Sequence, residues 1–146
     1  MGLHIYPSHV NASRGPRTIL LVEDEPFVRE ATRSILESAG FEVLSAEDGA
    51  AALRLYDETP GSVDLLMTDM ILPGRTGEDL GRELRLHSPF LKVLVTSGYS
   101  NVDQSIEEPR VNTFFLAKPY SRRGLVEKID EILSAGPLHQ IARQAG

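Results

Sequence analysis

Five short apolar runs, each followed by a segment of helical periodicity, constrain the fold of this 146-residue chain more than any other feature. Thr18-Ile-Leu-Leu-Val22 opens the series and stops abruptly at Glu23-Asp24-Glu25-Pro26, the pattern of a buried strand running into a loop and a helix start. Val28, Ala31, Ile35 and Ala39 then recur near helical spacing up to Gly40, which predicts an amphipathic helix with a glycine C-cap. Phe41 to Ala46 reads as a second strand, and Asp48 to Tyr56 as a second helix carried by Leu53 and Tyr56. Val63 to Thr68 is a third strand that reaches Asp69 at its carboxyl end. Gly77 to Leu86 follows as a helix with Leu80 and Leu84 inward. Leu91 to Thr96 is a fourth strand ending at Ser97-Gly98, and Asn101 to Glu107 a weak helix anchored only by Val102 and Ile106. Asn112 to Ala117 is a fifth strand, and Ser121 to Ser134 a helix buried through Leu125, Ile129, Ile132 and Leu133. Strict alternation of this kind argues for an α/β domain: one parallel sheet with helices on both faces.

Composition narrows the class. With 41% hydrophobic residues the chain can bury one core, and no apolar run approaches the roughly 18 residues of a membrane span. Cysteine is absent, which removes disulfides, thiolate metal sites and cysteine nucleophiles. The first residues lack a signal-peptide apolar stretch, and Tyr6 stands where a myristoylation signal needs Ser or Thr, so a cytoplasmic location is expected. A net charge of −6 argues against nucleic acid or an anionic membrane as partner. Up to Pro73 there are 12 acidic and 5 basic residues, against 9 and 10 from Gly74 onward, so the acidic excess belongs to the first half. The expected organisation is an N-terminal extension at 1–16, one domain at 17–135 and a tail at 136–146.

Ligands of open parallel sheets bind beyond the carboxyl ends of the strands, where the winding reverses. The strand assignments send Glu23, Asp24, Asp69, Ser97 and Lys118 to that one edge. If the first and third strands are neighbours, three carboxylates crowd together, each pair repelling by about 4 kcal/mol at 4 Å and an effective dielectric of 20. Such a cluster needs a cation, and an oxygen-only ligand set without Cys or an adjacent His selects a hard ion, Mg²⁺ first. A carboxylate beside Mg²⁺ can attack phosphorus to give an acyl phosphate. Asp69 suits the nucleophile, Lys118 a fixed positive charge for the phosphoryl oxygens, and the Ser97 hydroxyl a donor to one of them.

Four segments in this order resemble the receiver domain of bacterial two-component response regulators: Leu20-Leu-Val-Glu-Asp-Glu-Pro26, Leu65-Leu-Met-Thr-Asp-Met-Ile-Leu-Pro-Gly74, Val93-Leu-Val-Thr-Ser-Gly98 and Phe115-Leu-Ala-Lys-Pro119. The resemblance covers about Arg17 to Ala135. It implies a doubly wound, flavodoxin-like sheet of five parallel strands in the order 2-1-3-4-5. It makes Asp69 the phosphoacceptor, Asp24, Asp69 and the backbone carbonyl of Ile71 the Mg²⁺ ligands, and Glu23 a partner acting through metal-bound water. Ser97 becomes the switch hydroxyl and Phe115 the aromatic that turns inward with it. Lys118 contacts the phosphoryl group, and the Lys118-Pro119 bond is cis.

The chain departs from the family in two ways. Its acidic pair is Glu23-Asp24 rather than the commoner Asp-Asp. Ile71 and Tyr99, two residues past Asp69 and Ser97, offer no carboxamide or carboxylate to orient an attacking water, so slow autodephosphorylation is expected. The resemblance implies a sensor histidine kinase or histidine phosphotransfer protein as donor. The tail is too short for an attached effector, and no helix-turn-helix fits it, so a single-domain receiver acting on a downstream protein partner is expected. Its contact face would be the fourth helix, fifth strand and fifth helix, which can also pair two copies into a homodimer. Thr96-Ser-Gly-Tyr99 and Lys118-Pro-Tyr120 resemble receivers attached to hybrid histidine kinases, so a phosphorelay intermediate or phosphate sink is the alternative. An Mg²⁺-dependent aspartyl-phosphate phosphatase would want a second Asp two residues after the first-strand Asp, where this chain has Pro26. A dinucleotide module would want G-x-G-x-x-G, which Gly74, Gly77 and Gly81 do not provide.

Overall fold

A computed structural model of the chain describes residues 10–11, 15–98 and 111–135. Five parallel strands form the central sheet: β1 (Thr18–Val22), β2 (Glu42–Ala46), β3 (Leu65–Asp69), β4 (Lys92–Ser97) and β5 (Thr113–Ala117), in the spatial order β2-β1-β3-β4-β5. The winding reverses between β1 and β3, which is where ligands of such sheets sit. Four helices are described: α1 (Pro26–Ser38), α2 (Gly49–Glu58), α3 (Gly77–Arg85) and α4 (Arg122–Ser134). The last is the helix numbered fifth in the sequence. The expected helix at 101–107, Tyr99 and the tail at 136–146 lie outside the described residues. Among the described residues, no helix is long and apolar enough to cross a membrane.

The strands are buried because both faces are covered. Alternation along each strand sends Leu20, Leu66, Val93 and Val95 into one core with Ala52, Tyr56, Leu80 and Leu84 of α2 and α3. Ile19, Leu21, Met67 and Leu94 go into the opposite core with Leu36 of α1 and Leu125, Ile129 and Ile132 of α4. Each helix start is capped by a side chain: Glu25, Asp48, Thr76 and Ser121 all accept from a backbone N–H of the first turn. Gly40, at φ 102°, ends α1 in the left-handed conformation.

The stripe expected on α1 is displaced. Thr32 and Leu36 are its buried residues, whereas Val28 and Ile35 are half-buried and Ala31 is exposed. The cause is that only one side of α1 meets the sheet. The other leaves Val28, Ala31 and Ile35 facing Pro119 and Tyr120 across an apolar groove of about 570 Å³. On α2 it is Ala52 and Tyr56 that are buried, with Leu53 only partly covered. The sequence also gave no hint of two small antiparallel pairs: Val10–Asn11 with Gly15–Pro16, and Ile71–Leu72 with Arg75–Thr76. Pro73 and Gly74, the latter at φ 77°, make the tight turn of the second pair.

Leu66 lies at the centre of this arrangement, fully buried on the middle strand. Leu66→Ala is expected to lower the unfolding free energy by about 2–5 kcal/mol in urea titrations. A loss below about 1 kcal/mol would show that the α2–α3 side repacks around the cavity.

Candidate functional site

Register and pleat bring the polar strand ends together. Met67, Leu21, Leu94 and Leu116 all face the α1–α4 side, and residues two further along point the same way: Asp69, Glu23, Thr96 and Lys118. Lys118 Nζ stands 2.5 Å from Asp69 Oδ1 and 3.1 Å from Glu23 Oε1. One ammonium therefore joins the ends of β1, β3 and β5. Oxygens of Glu23, Asp24 and Asp69 lie within 4.8 Å of one another. Glu23 is buried, the Asp69 side chain is 12% exposed and Asp24 is open to solvent. The hydroxyl of Thr96 donates to Asp69 Oδ1 at 3.3 Å.

Three carboxylates facing one ammonium leave negative charge uncompensated. Burial, reinforced by the adjacent Asp69, pushes the Glu23 carboxyl up from the usual 4.5 to about 7, although the Glu25 N–H and Lys118 pull the other way. Burial alone would lower the Lys118 ammonium, but Asp69 and then Glu23 outweigh it and its pKa is raised. A hard cation is the natural completion: the donors are all oxygens, closely spaced and partly open to water. The cluster fits Mg²⁺ on that ground.

The backbone around Asp69 is locked from several sides. Met70 N–H donates to Thr96 O at 2.8 Å, and Gly77 N–H to Met70 O at 2.8 Å. A Cβ on Gly77 would come within 2.1 Å of the Asp69 carbonyl oxygen, so α3 can start this close only with glycine there. Arg75 pairs with Glu83 at 2.9 Å and holds the Ile71–Thr76 hairpin against α3. On the other flank, Arg29 Nη1 donates to the Glu23 carbonyl at 2.7 Å, and Glu25 N–H to Glu23 Oε2 at 3.1 Å. The Lys118-Pro119 bond is cis. Tyr120, next in the chain, shares a 2.9 Å hydroxyl hydrogen bond with Thr32 of α1.

A family model described as "Response regulator receiver domain" matches residues 19–130. This chain belongs to that family. The receiver is 38% identical over 120 residues to the sensor kinase CckA of Brucella abortus, covering 82% of this chain and 13% of that kinase. It thus spans only a small part of that relative. It is 34% identical to the response regulator receiver protein CpdR of the same organism, over 82% of this chain and 98% of CpdR. A solved receiver domain from the hybrid histidine kinase CckA superposes with a TM-score of 0.69 at 33% identity, covering 80% of this chain and 98% of that one. Receiver domains are phosphoacceptors that interact with histidine kinases or phosphotransfer proteins and use Mg²⁺ at an acidic pocket. The acidic pocket is present here as Glu23, Asp24 and Asp69.

Of the remaining residues singled out in the sequence, Ser97 is buried and lines the cleft beside Asp69 together with Ile71, which is 61% exposed. Ser97 and Phe115 face the α2–α3 side, opposite Thr96, and Phe115 is half-buried against Val95 and its neighbours. The sequence reading missed Thr96, Gly77 and Arg29.

The raised Glu23 carboxyl sets a pH dependence. The folded state holds that proton more tightly than the unfolded chain, so its stabilising contribution is complete below about pH 4.5 and lost as pH rises to about 7. In the metal-free protein, Tm is expected to fall between pH 5 and 8, with Glu23→Gln removing much of that slope. Identical slopes for the two proteins in calorimetric scans would contradict it.

Proposed function

We propose that this receiver accepts a phosphoryl group on Asp69 from a histidine kinase or a histidine phosphotransfer protein. The observation that carries the reading is the contact of Lys118 Nζ with Asp69 Oδ1 inside the three-carboxylate cluster. An Asp69 oxygen forms a bond to phosphorus as the bond from phosphorus to the donor's imidazole nitrogen breaks, the electron pair leaving with that nitrogen. Lys118 is already poised over the acceptor and follows charge onto the phosphoryl oxygens. Asp24, Asp69 and the Ile71 carbonyl would hold Mg²⁺ directly, with Glu23 acting through a bound water. When bound, the ion supplies charge neutralisation for the phosphoryl oxygens. Ser97 donates to one phosphoryl oxygen, and its movement lets Phe115 turn inward. The catalysed events are the receiver's own phosphorylation and slow autodephosphorylation rather than turnover of a substrate.

The apolar groove between α1 and Pro119-Tyr120 supports a protein as donor, because it lies next to Lys118 and a protein side chain can fill it. In the proposed organisation, residues 17–135 are the receiver and its output is a protein contact through β5, α4 and the segment at 101–107. The same face would serve a homodimer. The match to nearly all of CpdR supports a receiver that works without an attached effector. The likeness to the CckA receiver favours a second role, as a phosphorelay intermediate or sink.

Acetyl phosphate with Mg²⁺ is expected to add one phosphoryl group by intact mass spectrometry. The adduct should vanish in Asp69→Asn and without the metal. Continuous phosphate release without a retained adduct would point instead to a phosphatase. Because Ile71 cannot orient water, Ile71→Asn is expected to shorten the adduct's lifetime several-fold. A wild-type half-life of seconds, or no change in the variant, would refute that account of hydrolysis.

A further inference from the structure

Asp69 has a hydrogen-bond partner that neither the family motif nor the sequence reading singles out. Adjacent residues of a strand point to opposite faces, so of Thr96 and Ser97 only one shares the face of Asp69. The register settles which. Asp69 lies directly across from Thr96, whereas Ser97 lies across from Ala117. Thr96 is buried, and its hydroxyl is 3.3 Å from Asp69 Oδ1 and 3.5 Å from the Thr68 carbonyl oxygen. The carboxylate is the nearer and the charged acceptor, so it takes the larger share of the proton. Oδ1 is also the oxygen that Lys118 holds.

Two donors from different strands, a hydroxyl from β4 and an ammonium after β5, thus converge on one carboxylate oxygen. Lys118 sits at the end of a flexible four-carbon stem and follows charge wherever it moves. Thr96 differs: it is a β-branched side chain on a buried central strand, with few rotamers available. It fixes the plane of the carboxylate, while Lys118 fixes its charge. We propose that Thr96 is a positioning residue for the phosphoacceptor, orienting the Asp69 carboxylate for attack on phosphorus. The proposal rests on the reading of Asp69 as the acceptor. It separates two jobs on β4: Thr96 orients the acceptor before transfer, and Ser97, on the opposite face, answers the phosphoryl group afterwards.

The test uses the full chain, saturating Mg²⁺ and acetyl phosphate as the donor, with initial rates of adduct formation measured across donor concentration. Thr96→Val keeps the shape and loses the hydroxyl; Thr96→Ser keeps the hydroxyl and loses a methyl. Expected for Thr96→Val is a fall of about fivefold to tenfold in the saturating rate, the size of one ordinary hydrogen bond. The half-saturating donor concentration should stay unchanged, and Thr96→Ser should restore most of the rate. Should the valine variant fail to fold, Thr96→Ala is the second hydroxyl-free form. A hydroxyl-free variant within twofold of wild type overturns the proposal, as does a serine variant as slow as the valine one, which would assign the effect to packing. If the wild-type protein forms no adduct on Asp69, the acceptor reading itself falls and the proposal with it; a normal wild-type adduct with an unimpaired variant removes only the role of Thr96.

Discussion

The contact between Lys118 and Asp69 is the interaction on which the rest of the site depends. Glu23 and Asp69 end neighbouring parallel strands, and the backbone ladder forbids them from moving apart. Their repulsion has to be met locally. Lys118 meets part of it by touching both, which is why burial fails to lower its pKa. The remainder appears in the Glu23 carboxyl, driven up to about 7 chiefly by burial. A site so arranged is under electrostatic tension that a cation among the three carboxylates would relieve.

Rigidity is the second requirement of the proposed transfer, since an acceptor that drifts by an ångström loses its alignment. The strand core supplies it on one side: Leu66, Met67 and Leu94 leave the ends of β3 and β4 no freedom. Beyond the last ladder bond, Asp69 is held by the start of α3, packed so closely that Gly77 has no room for a side chain. The hairpin at Ile71–Thr76 then turns the chain sharply and is clamped through Arg75 and Glu83. By contrast, α1 carries its weight on Thr32 and Leu36 and leaves Val28 and Ile35 half-covered. The rigid side holds the carboxylate cluster, and the incompletely covered side leaves apolar surface along α1.

Most of the fold was legible because it is written in local periodicity. Aliphatic runs with abrupt polar ends marked all five described strands to within two residues, and Leu80, Leu84, Leu125, Ile129, Ile132 and Leu133 are buried as their spacing required. The carboxylate cluster was legible for a different reason: strand ends in a parallel sheet share one edge whatever lies between them. What stayed hidden depends on relations that no single segment records. Lys118 bridging Glu23 and Asp69 is a contact across 95 positions of sequence. The buried stripe on α1 depends on which side of it the sheet lies. The hairpin is too short to leave an alternation, and Gly77 is indistinguishable from an ordinary turn glycine until its distance to Asp69 is known.

The pair Thr96-Ser97 shows most sharply why a motif is an incomplete description of a site. In the sequence the two hydroxyls are adjacent and nearly equivalent, and a resemblance selects Ser97. In the sheet they are separated by the pleat: Ser97 shares a face with Phe115 and the α2–α3 core, Thr96 with Asp69, Glu23 and Lys118. A strand cannot rotate to exchange them without breaking its ladder on both sides. The two side chains leave β4 on opposite faces of the sheet, although both residues line the cleft beside Asp69. On the proposed reading of Asp69 as acceptor, alternation lets one strand end serve the orientation of the carboxylate through Thr96 and the response to the phosphoryl group through Ser97, from two sides of the same cleft.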